Sequence, residues 1–313
     1  VAPSWPKVVA VVGPTASGKS ALALALAQRL GAEILNADAF QLYRGMDIGT
    51  AKPTAAERSR VRHHLLDLLD VTEEASVAEY QSWGRSVLRD LGVRDVPAVV
   101  VGGSGLYLRA LLDDMHFPGS DKAVRARWDR RMELEGPAAL HAVLAARDPE
   151  AAQHILPTNG RRIVRALEVG EITGKPFPAV LAPDGPPCVP YLSVGLHWPR
   201  PALDDRITRR VDTMMAAGFE REVRTLAQHG LRTGRTASRA LGYQQLLDVI
   251  DGRCTLPEAT DQIIARTRAL ARRQERWFRR DPRTQWLDGA VSPSSTASKV
   301  EGLLTQAASS LGP

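Results

Sequence analysis

Over the first 117 residues, runs of consecutive apolar positions alternate with segments of helical period. Val8–Val12 is apolar throughout and predicts a buried strand. Lys19–Leu30 predicts a helix stopped by Gly31, and Glu33–Asn36 a second strand. His64–Leu69 reads as a short strand, and Val77–Leu91 as an amphipathic helix ending near Gly92. After Pro97, Ala98–Val101 predicts a third apolar strand, then Gly102-Gly103 and a helix over Leu106–Leu112. Continuous apolar strands separated by helices imply a parallel sheet covered on both faces. Ligands of such sheets bind at the carboxyl ends of the strands.

The pattern changes at about Asp121. Val124–Leu134, Pro137–Ala146 and Arg161–Ile172 keep helical spacing, with Pro or Gly between them, and strand signals vanish up to Gly174. Pro176 to Pro190 is proline-rich and predicts a connector. Leu192–Leu196 reads as a strand returning to the sheet, and residues 202–280 are again helical. In the last long helix, about Pro257 to Arg280, Ile263, Leu270 and Trp277 recur every seven residues, as do Ile264, Ala271 and Phe278. The expected division is therefore a core from residues 1–117 and 190–290, a helical insertion at 118–189, and a tail at 291–313 with one weak helical stretch.

Composition fits a soluble globular chain of 313 residues. No apolar run is long enough for a membrane span, and Val1 to Lys7 lack the apolar region of a signal peptide. The 2 cysteines, Cys188 and Cys254, are too few for a disulfide framework or a zinc site, so a reducing cytoplasm is expected. No obvious exposed apolar helix argues for assembly, so a monomer is expected. The net charge of +6 is uneven. Residues 190–290 hold 18 basic and 12 acidic side chains, whereas residues 1–117 hold 12 and 13. Arg266, Arg268, Arg272, Arg273, Arg276, Arg279 and Arg280 surround the apolar stripe of the last long helix with Glu275 as their one acid. Such a run is often a solvated face, but this imbalance predicts contact with phosphate or RNA.

Residues 13–20, Gly-Pro-Thr-Ala-Ser-Gly-Lys-Ser, match the phosphate-binding loop G-x-x-x-x-G-K-[ST] between a strand and a helix. Backbone N–H groups of Gly13, Pro14, Thr15, Ala16, Ser17, Gly18, Lys19 and Ser20 (Pro14 excepted, which has none) form the cradle. Lys19 adds charge at the terminal phosphates, and the Ser20 hydroxyl is placed to hold Mg²⁺. The fold class is thus α/β, a P-loop NTPase-like parallel sheet with an all-helical insertion. The loop predicts binding of a di- or triphosphate, ATP and other nucleotides included.

Asp38 closes the second strand and has three possible roles: Mg²⁺ ligand, general base or turn cap. The strand Ala98–Val101 ends in Gly102-Gly103-Ser104-Gly105 rather than in an acid, which argues against a motor or switch NTPase. That turn opens a helix and offers further N–H donors with a hydroxyl. Tyr43 and Tyr243 are equally readable as core aromatics, His63 and His64 as packing or capping residues, and Asp47 as a residue that fixes its own loop.

Several blocks together resemble the tRNA dimethylallyltransferases, the tRNA isopentenyltransferase family. They are the phosphate loop, Asp38–Pro53 with its Gly-Met-Asp-Ile-Gly-Thr-Ala-Lys-Pro, Val101–Tyr107, Arg162–Val169, Gly218-Phe219, Ala240–Tyr243, and Thr267-Arg268 through Arg273-Gln274. They span about residues 8–290 in the family's order. The resemblance implies transfer of a dimethylallyl group from dimethylallyl diphosphate to N6 of the adenosine 3′ to the anticodon, with Mg²⁺. It implies Asp38 as the base and Ser104 beside the bridging oxygen of the leaving diphosphate. The diphosphate would be held by the loop and Arg239. The tRNA anticodon stem-loop would meet Asp38, Ala39, Phe40, Gln41, Ser104, Arg125, Arg161, Arg162, Ile163, Val164, Arg165, Arg239, Ala240, Leu241, Gly242, Tyr243 and Gln244. A kinase or NTPase acting on a nucleotide or RNA is the alternative, and an RNA-binding protein with a structural nucleotide a third.

Overall fold

The computed structural model describes residues 7–178 and 186–310, without the side chains of 307–310. The segment before Lys7, part of the proline-rich connector and the last three residues lie outside the described residues. In chain order the core runs β1 (Val8–Val12), α1 (Lys19–Leu30), β2 (Glu33–Asn36), α2 (Ala55–Arg60), β3 (His63–His64), α3 (Val77–Val93), β4 (Ala98–Val101) and α4 (Gly105–Leu112). The insertion holds α5 (Lys122–Arg147), α6 (Pro149–His154) and α7 (Gly160–Thr173). The core resumes with β5 (Tyr191–His197), α8 (Arg200–Ala216), α9 (Phe219–Gln228), α10 (Tyr243–Ile250), α11 (Leu256–Arg279), β6 (Thr284–Asp288) and α12 (Pro293–Ser310).

The strands form a parallel sheet of order β3-β2-β4-β1-β5-β6. Alternate residues of β1 point to opposite faces, as the two-residue period of a strand requires. Val8, Ala10 and Val12 join the apolar layer with Leu35, Tyr80, Val100 and Leu111. Val9 and Val11 join the other layer with Leu22, Leu26, Ile34 and Val99. Both faces are buried, which is why β1 and β4 are continuously apolar. The register sets β4 between β2 and β1, so the residues after β1, β2 and β4 emerge side by side at one sheet edge.

Several expectations change. The strand expected over His64–Leu69 is confined to His63–His64, because Leu65 (φ 62°) and Asp67 (φ 57°) adopt left-handed backbone that ends pairing. β6 lacks a long apolar run and was not anticipated; it pairs with β5. The weak helical stretch expected after 290 is α12. Ala297 and Val300 of α12 are buried against the layer that holds Leu22 and Leu26, and Glu301 pairs with Arg29 of α1 at 2.6 Å.

The chain divides into two compact units, Val1–Asp114 with Pro186–Pro313, and Met115–Gly185. In the second unit, α5 is two helices joined at Gly136 (φ 80°, ψ 168°), with Pro137 opening the second. Trp128, Leu140, Leu144, Ile155, Ile163, Val164 and Leu167 form its own apolar core. Beside that core the Glu168 carboxylate, 0% exposed, accepts from Ser120 Oγ (2.6 Å), Arg125 Nε (2.9 Å) and Arg165 Nη1 (2.8 Å). Burial alone would raise its pKa, but the Ser120 hydroxyl and the two guanidiniums outweigh that and hold it below the ordinary value.

Candidate active site

The backbone curls between β1 and α1 because Gly13 (φ 128°), Ala16 (φ 63°) and Gly18 (φ 97°) lie in the left-handed region. The loop is braced from outside. Trp198 Nε1 donates to Ser17 O at 2.8 Å, and Arg206 Nε donates to Ala16 O at 2.8 Å while its guanidinium stacks 4.2 Å from the Trp198 ring. Thr15 N donates to Gln274 Oε1 of α11 at 2.8 Å. Lys19 Nζ folds back to Pro14 O at 2.6 Å.

A cleft of about 370 Å³ opens here, lined by Ala16, Gly18, Lys19, Ser20 and Ala21 with Arg206, Arg209, Arg210 and Thr213. The α8 residues recur at helical spacing, so one face of α8 turns guanidiniums toward the N-terminus of α1. Burial first, then the Arg210 charge, push the Lys19 pKa down to about 7, and the Asp38 carboxylate pulls the other way. Burial lowers Arg210 as well, with Asp38 again opposing. The cleft is a concentrated positive site suited to an anion that desolvates it.

Asp38 stands just beyond β2, where the sheet delivers it beside Lys19 and Arg210. The Asn36 side chain fixes its backbone: Oδ1 accepts from Asp38 N (2.9 Å), and Nδ2 donates to Asp38 O (2.9 Å) and Leu65 O (3.0 Å). The Asp38 carboxylate accepts from Phe40 N at 3.0 Å. Burial raises its pKa above the ordinary value, and the Phe40 N–H, Lys19 and Arg210 restrain that rise. This is the electrostatic profile of a carboxylate able to take a proton.

The Asp-Ile-Gly-Thr-Ala-Lys-Pro block has a structural explanation. The Glu222 carboxylate of α9 accepts from Asp47 N (3.1 Å), Ile48 N (2.7 Å), Gly49 N (3.2 Å) and the Tyr243 hydroxyl (2.6 Å). A Cβ at Gly49 would overlap the Phe219 ring. Lys52, its side chain 1% exposed, donates to Tyr43 O, Asp47 Oδ1 and Asp67 Oδ1. Asp47 therefore fixes its loop, and Tyr43 and Tyr243 are core aromatics. His64 Nε2 lies 2.5 Å from Glu33, and His63 Nδ1 lies 2.8 Å from Val61 O.

Ser104 is half-buried at the start of α4 and its side chain does not cap that helix. The glycines before and after it are needed for close approach: a Cβ at Gly102 would overlap Ala37 O, one at Gly103 the Gln274 amide, and one at Gly105 the Trp277 indole. Ala39, Phe40 and Gln41 follow Asp38 half-buried, and Gln41 Nε2 donates to Thr50 O at 3.1 Å.

The other expected contact residues have the following surroundings. Arg239 is exposed and lines a second cleft with Arg232, Gln244, Asp248 and Arg253; it does not line the cleft at the phosphate loop. Ala240 and Tyr243 are buried, Gly242 packs near the Phe219 ring, Leu241 is half-buried, and Gln244 is exposed. In the second unit Ile163 and Val164 are buried in its apolar core. Arg125 and Arg165 are occupied by Glu168, Arg161 is exposed and Arg162 half-buried. On α11, Arg268 donates to Thr208 and Arg279 to Glu275, while Arg266, Arg272, Arg273, Arg276 and Arg280 are exposed.

Comparison with known proteins agrees with this architecture. The IPP transferase family model matches residues 41–281. The tRNA dimethylallyltransferase of Streptomyces coelicolor is 57% identical over 291 residues, 93% of each chain. That of Thermobifida fusca is 59% identical over 285 residues, covering 90% of this chain and 89% of the relative. This chain belongs to the IPP transferase family. Among solved structures, the tRNA isopentenylpyrophosphate transferase of Bacillus halodurans is 36% identical, covers 96% of both chains and has a TM-score of 0.70. A eukaryotic dimethylallyltransferase acting on tRNA is 25% identical with a TM-score of 0.76, covering 91% of this chain and 74% of that one. For an IPP transferase family member, sequence reading missed Asn36, Arg206, Arg210 and Gln274. The helical spacing of Arg206, Arg209 and Arg210 just after a sheet strand was the available signal for two of them.

Proposed function

We propose that this protein transfers a dimethylallyl group from dimethylallyl diphosphate to N6 of the adenosine 3′-adjacent to the anticodon of a tRNA. The observation that carries the reading is Asp38, its carboxyl raised by burial, sharing an electrostatic neighbourhood with Lys19 and Arg210 at the phosphate loop. The C1–O bond of the allylic diphosphate breaks and its electron pair leaves on the diphosphate. Lys19, Arg210 and the N–H groups opening α1 stabilise that charge. The N6 lone pair forms the new bond to C1, and the N6 proton passes to the Asp38 carboxylate. Ser104, at the neighbouring strand end, is read as the donor to the bridging oxygen. A single-stranded loop eases presentation of the base.

Mg²⁺ fits the donor set as an ion carried by the diphosphate. Ser20 would supply one hydroxyl, and because its protein neighbours in the cleft are cationic the remaining oxygens would have to come from the ligand and water. When bound, the ion neutralises leaving-group charge. The exposed arginines of α11 and Arg161 are read as contacts to the anticodon stem-loop. Two free cysteines and a soluble composition fit a cytoplasmic location, and a monomer is the proposed state. Among the described residues no helix is long and apolar enough to cross a membrane. The absence of an acid after β4, the strand beside β1, weighs against a nucleotide hydrolase.

Incubation with radiolabelled dimethylallyl diphosphate, Mg²⁺ and unmodified tRNA tests the reading. Label is expected in tRNA; label confined to AMP, or phosphate released from ATP without prenyl transfer, would overturn it. Asp38→Ala is expected to lower single-turnover transfer by about 10³-fold with tRNA binding retained. Near-normal turnover removes Asp38 from the base role.

A further inference from the structure

The phosphate loop is short of donors at its beginning. Pro14 has no N–H. The Thr15 N–H is taken by Gln274 Oε1 at 2.8 Å, and the Ser17 N–H turns back to Pro14 O at 3.4 Å. Apart from the Ala16 N–H between these two, the donors left for a ligand are at Gly18, Lys19 and Ser20, where α1 opens. Gln274 is also firmly seated. Its amide nitrogen lies against Gly103, and Ala271 and Phe278, a turn away along α11 on either side, are buried. Its carboxamide is thus wedged between the loop that carries Lys19 and the turn that carries Ser104.

We propose that Gln274 is a specificity-determining residue that restricts the phosphate loop to two phosphates. The inference rests on the reading of the loop as the seat of a diphosphate leaving group, and deepens it. Two phosphates at the entrance of α1 use the Gly18–Ser20 donors. A third, linked beyond them toward the start of the loop, needs the donors at that end. There it meets a carbonyl oxygen of Gln274 in place of a free N–H, an acceptor facing an acceptor. Nucleoside triphosphates, which share the loop chemistry, are rejected by the same contact. The residue acts by occupying a donor, not by touching the reacting carbon.

The test is calorimetric titration of the full chain with inorganic pyrophosphate and with tripolyphosphate. The wild type is expected to prefer pyrophosphate by about tenfold or more. In Gln274→Ala the preference is expected to shrink to about threefold or less, chiefly through tighter tripolyphosphate binding, since Thr15 N–H is released. Gln274→Glu keeps an acceptor on a stem of the same length and adds negative charge, so it is expected to widen the preference. This variant keeps the prediction readable should the alanine variant misfold. An undiminished preference in a folded Gln274→Ala, an unchanged or narrowed one in Gln274→Glu, or no preference in the wild type overturns the proposal. If neither anion binds the wild type, the leaving-group reading of the loop falls with it. If both bind equally, that reading stands and the role of Gln274 falls.

Discussion

Arginines serve opposite purposes in the two units. In the core, Arg206, Arg209 and Arg210 face Lys19 across the mouth of the phosphate loop, and burial and mutual repulsion lower the pKa of Lys19 to about 7. In the second unit, Arg125 and Arg165 close on a fully buried Glu168 that also holds Ser120. The first cluster has positive charge to offer an anion, and the second has largely spent its charge on the fold. A basic residue is therefore informative about ligands only once its carboxylate partners are known. The second cluster costs desolvation that its own ion pairs offset, whereas the first leaves that offset to a ligand.

The largest test of this contrast is Arg210→Ala. It is expected to cut kcat/KM for dimethylallyl diphosphate about 10²-fold with little change in thermal stability, because the guanidinium serves the ligand. Arg165→Ala made in parallel should show the reverse balance; equal kinetic losses in the two would erase the distinction. Next in size is Glu168→Ala. Chemical denaturation should show a loss of about 2 kcal/mol, reduced from a fully buried pair because both arginines can partly rehydrate. Pyrophosphate binding should stay unchanged, and a shifted affinity would mean that the two clusters are not independent. Because the Glu168 pKa is lowered on folding, its stabilisation is present above the unfolded carboxylate value and is lost as pH falls through the folded one.

The smallest expected effect is the pH dependence of anion binding. With Lys19 near 7 in the free protein, an anion favours the protonated amine, so binding takes up a proton above that pH. Pyrophosphate affinity should weaken by about fivefold between pH 7 and 8, relative to Lys19→Arg, whose charge persists and cancels the ligand's own titration. A parallel pH profile in the two proteins would show that Lys19 is already fully charged.

Much of the core was legible because its signals are local. Two buried strands, β1 and β4, are continuous apolar runs, and the phosphate loop is a contiguous motif whose curl depends on its own glycines. β6 is not legible because Thr284 and Trp286 look amphipathic until β5 pairs with them, and the weak helical stretch that is α12 does not show that Ala297 and Val300 are buried against the α1 layer. Ile163, Val164 and Tyr243 belong to blocks that stay together in sequence, yet all three side chains are buried while Arg161 and Gln244 beside them are exposed. Helical rotation sends neighbouring side chains to different environments, so a contiguous block does not share one surface.

The doubly covered parallel sheet, the phosphate loop with Lys19 and Ser20, the placement of Asp38 at a strand end and the helical insertion can all be read from the order of residues. Each follows from residues within a few positions of one another, where periodicity and backbone preference act. Tertiary structure alone decided that α8 turns its arginines on the loop, that Gln274 caps Thr15 from 259 positions away, that Glu222 holds the Asp47–Gly49 backbone, and that Glu168 neutralises Arg125 and Arg165. Those pairings set which charges remain for a ligand, and electrostatic energy depends on distance and burial in space, neither of which is written in the order of the residues.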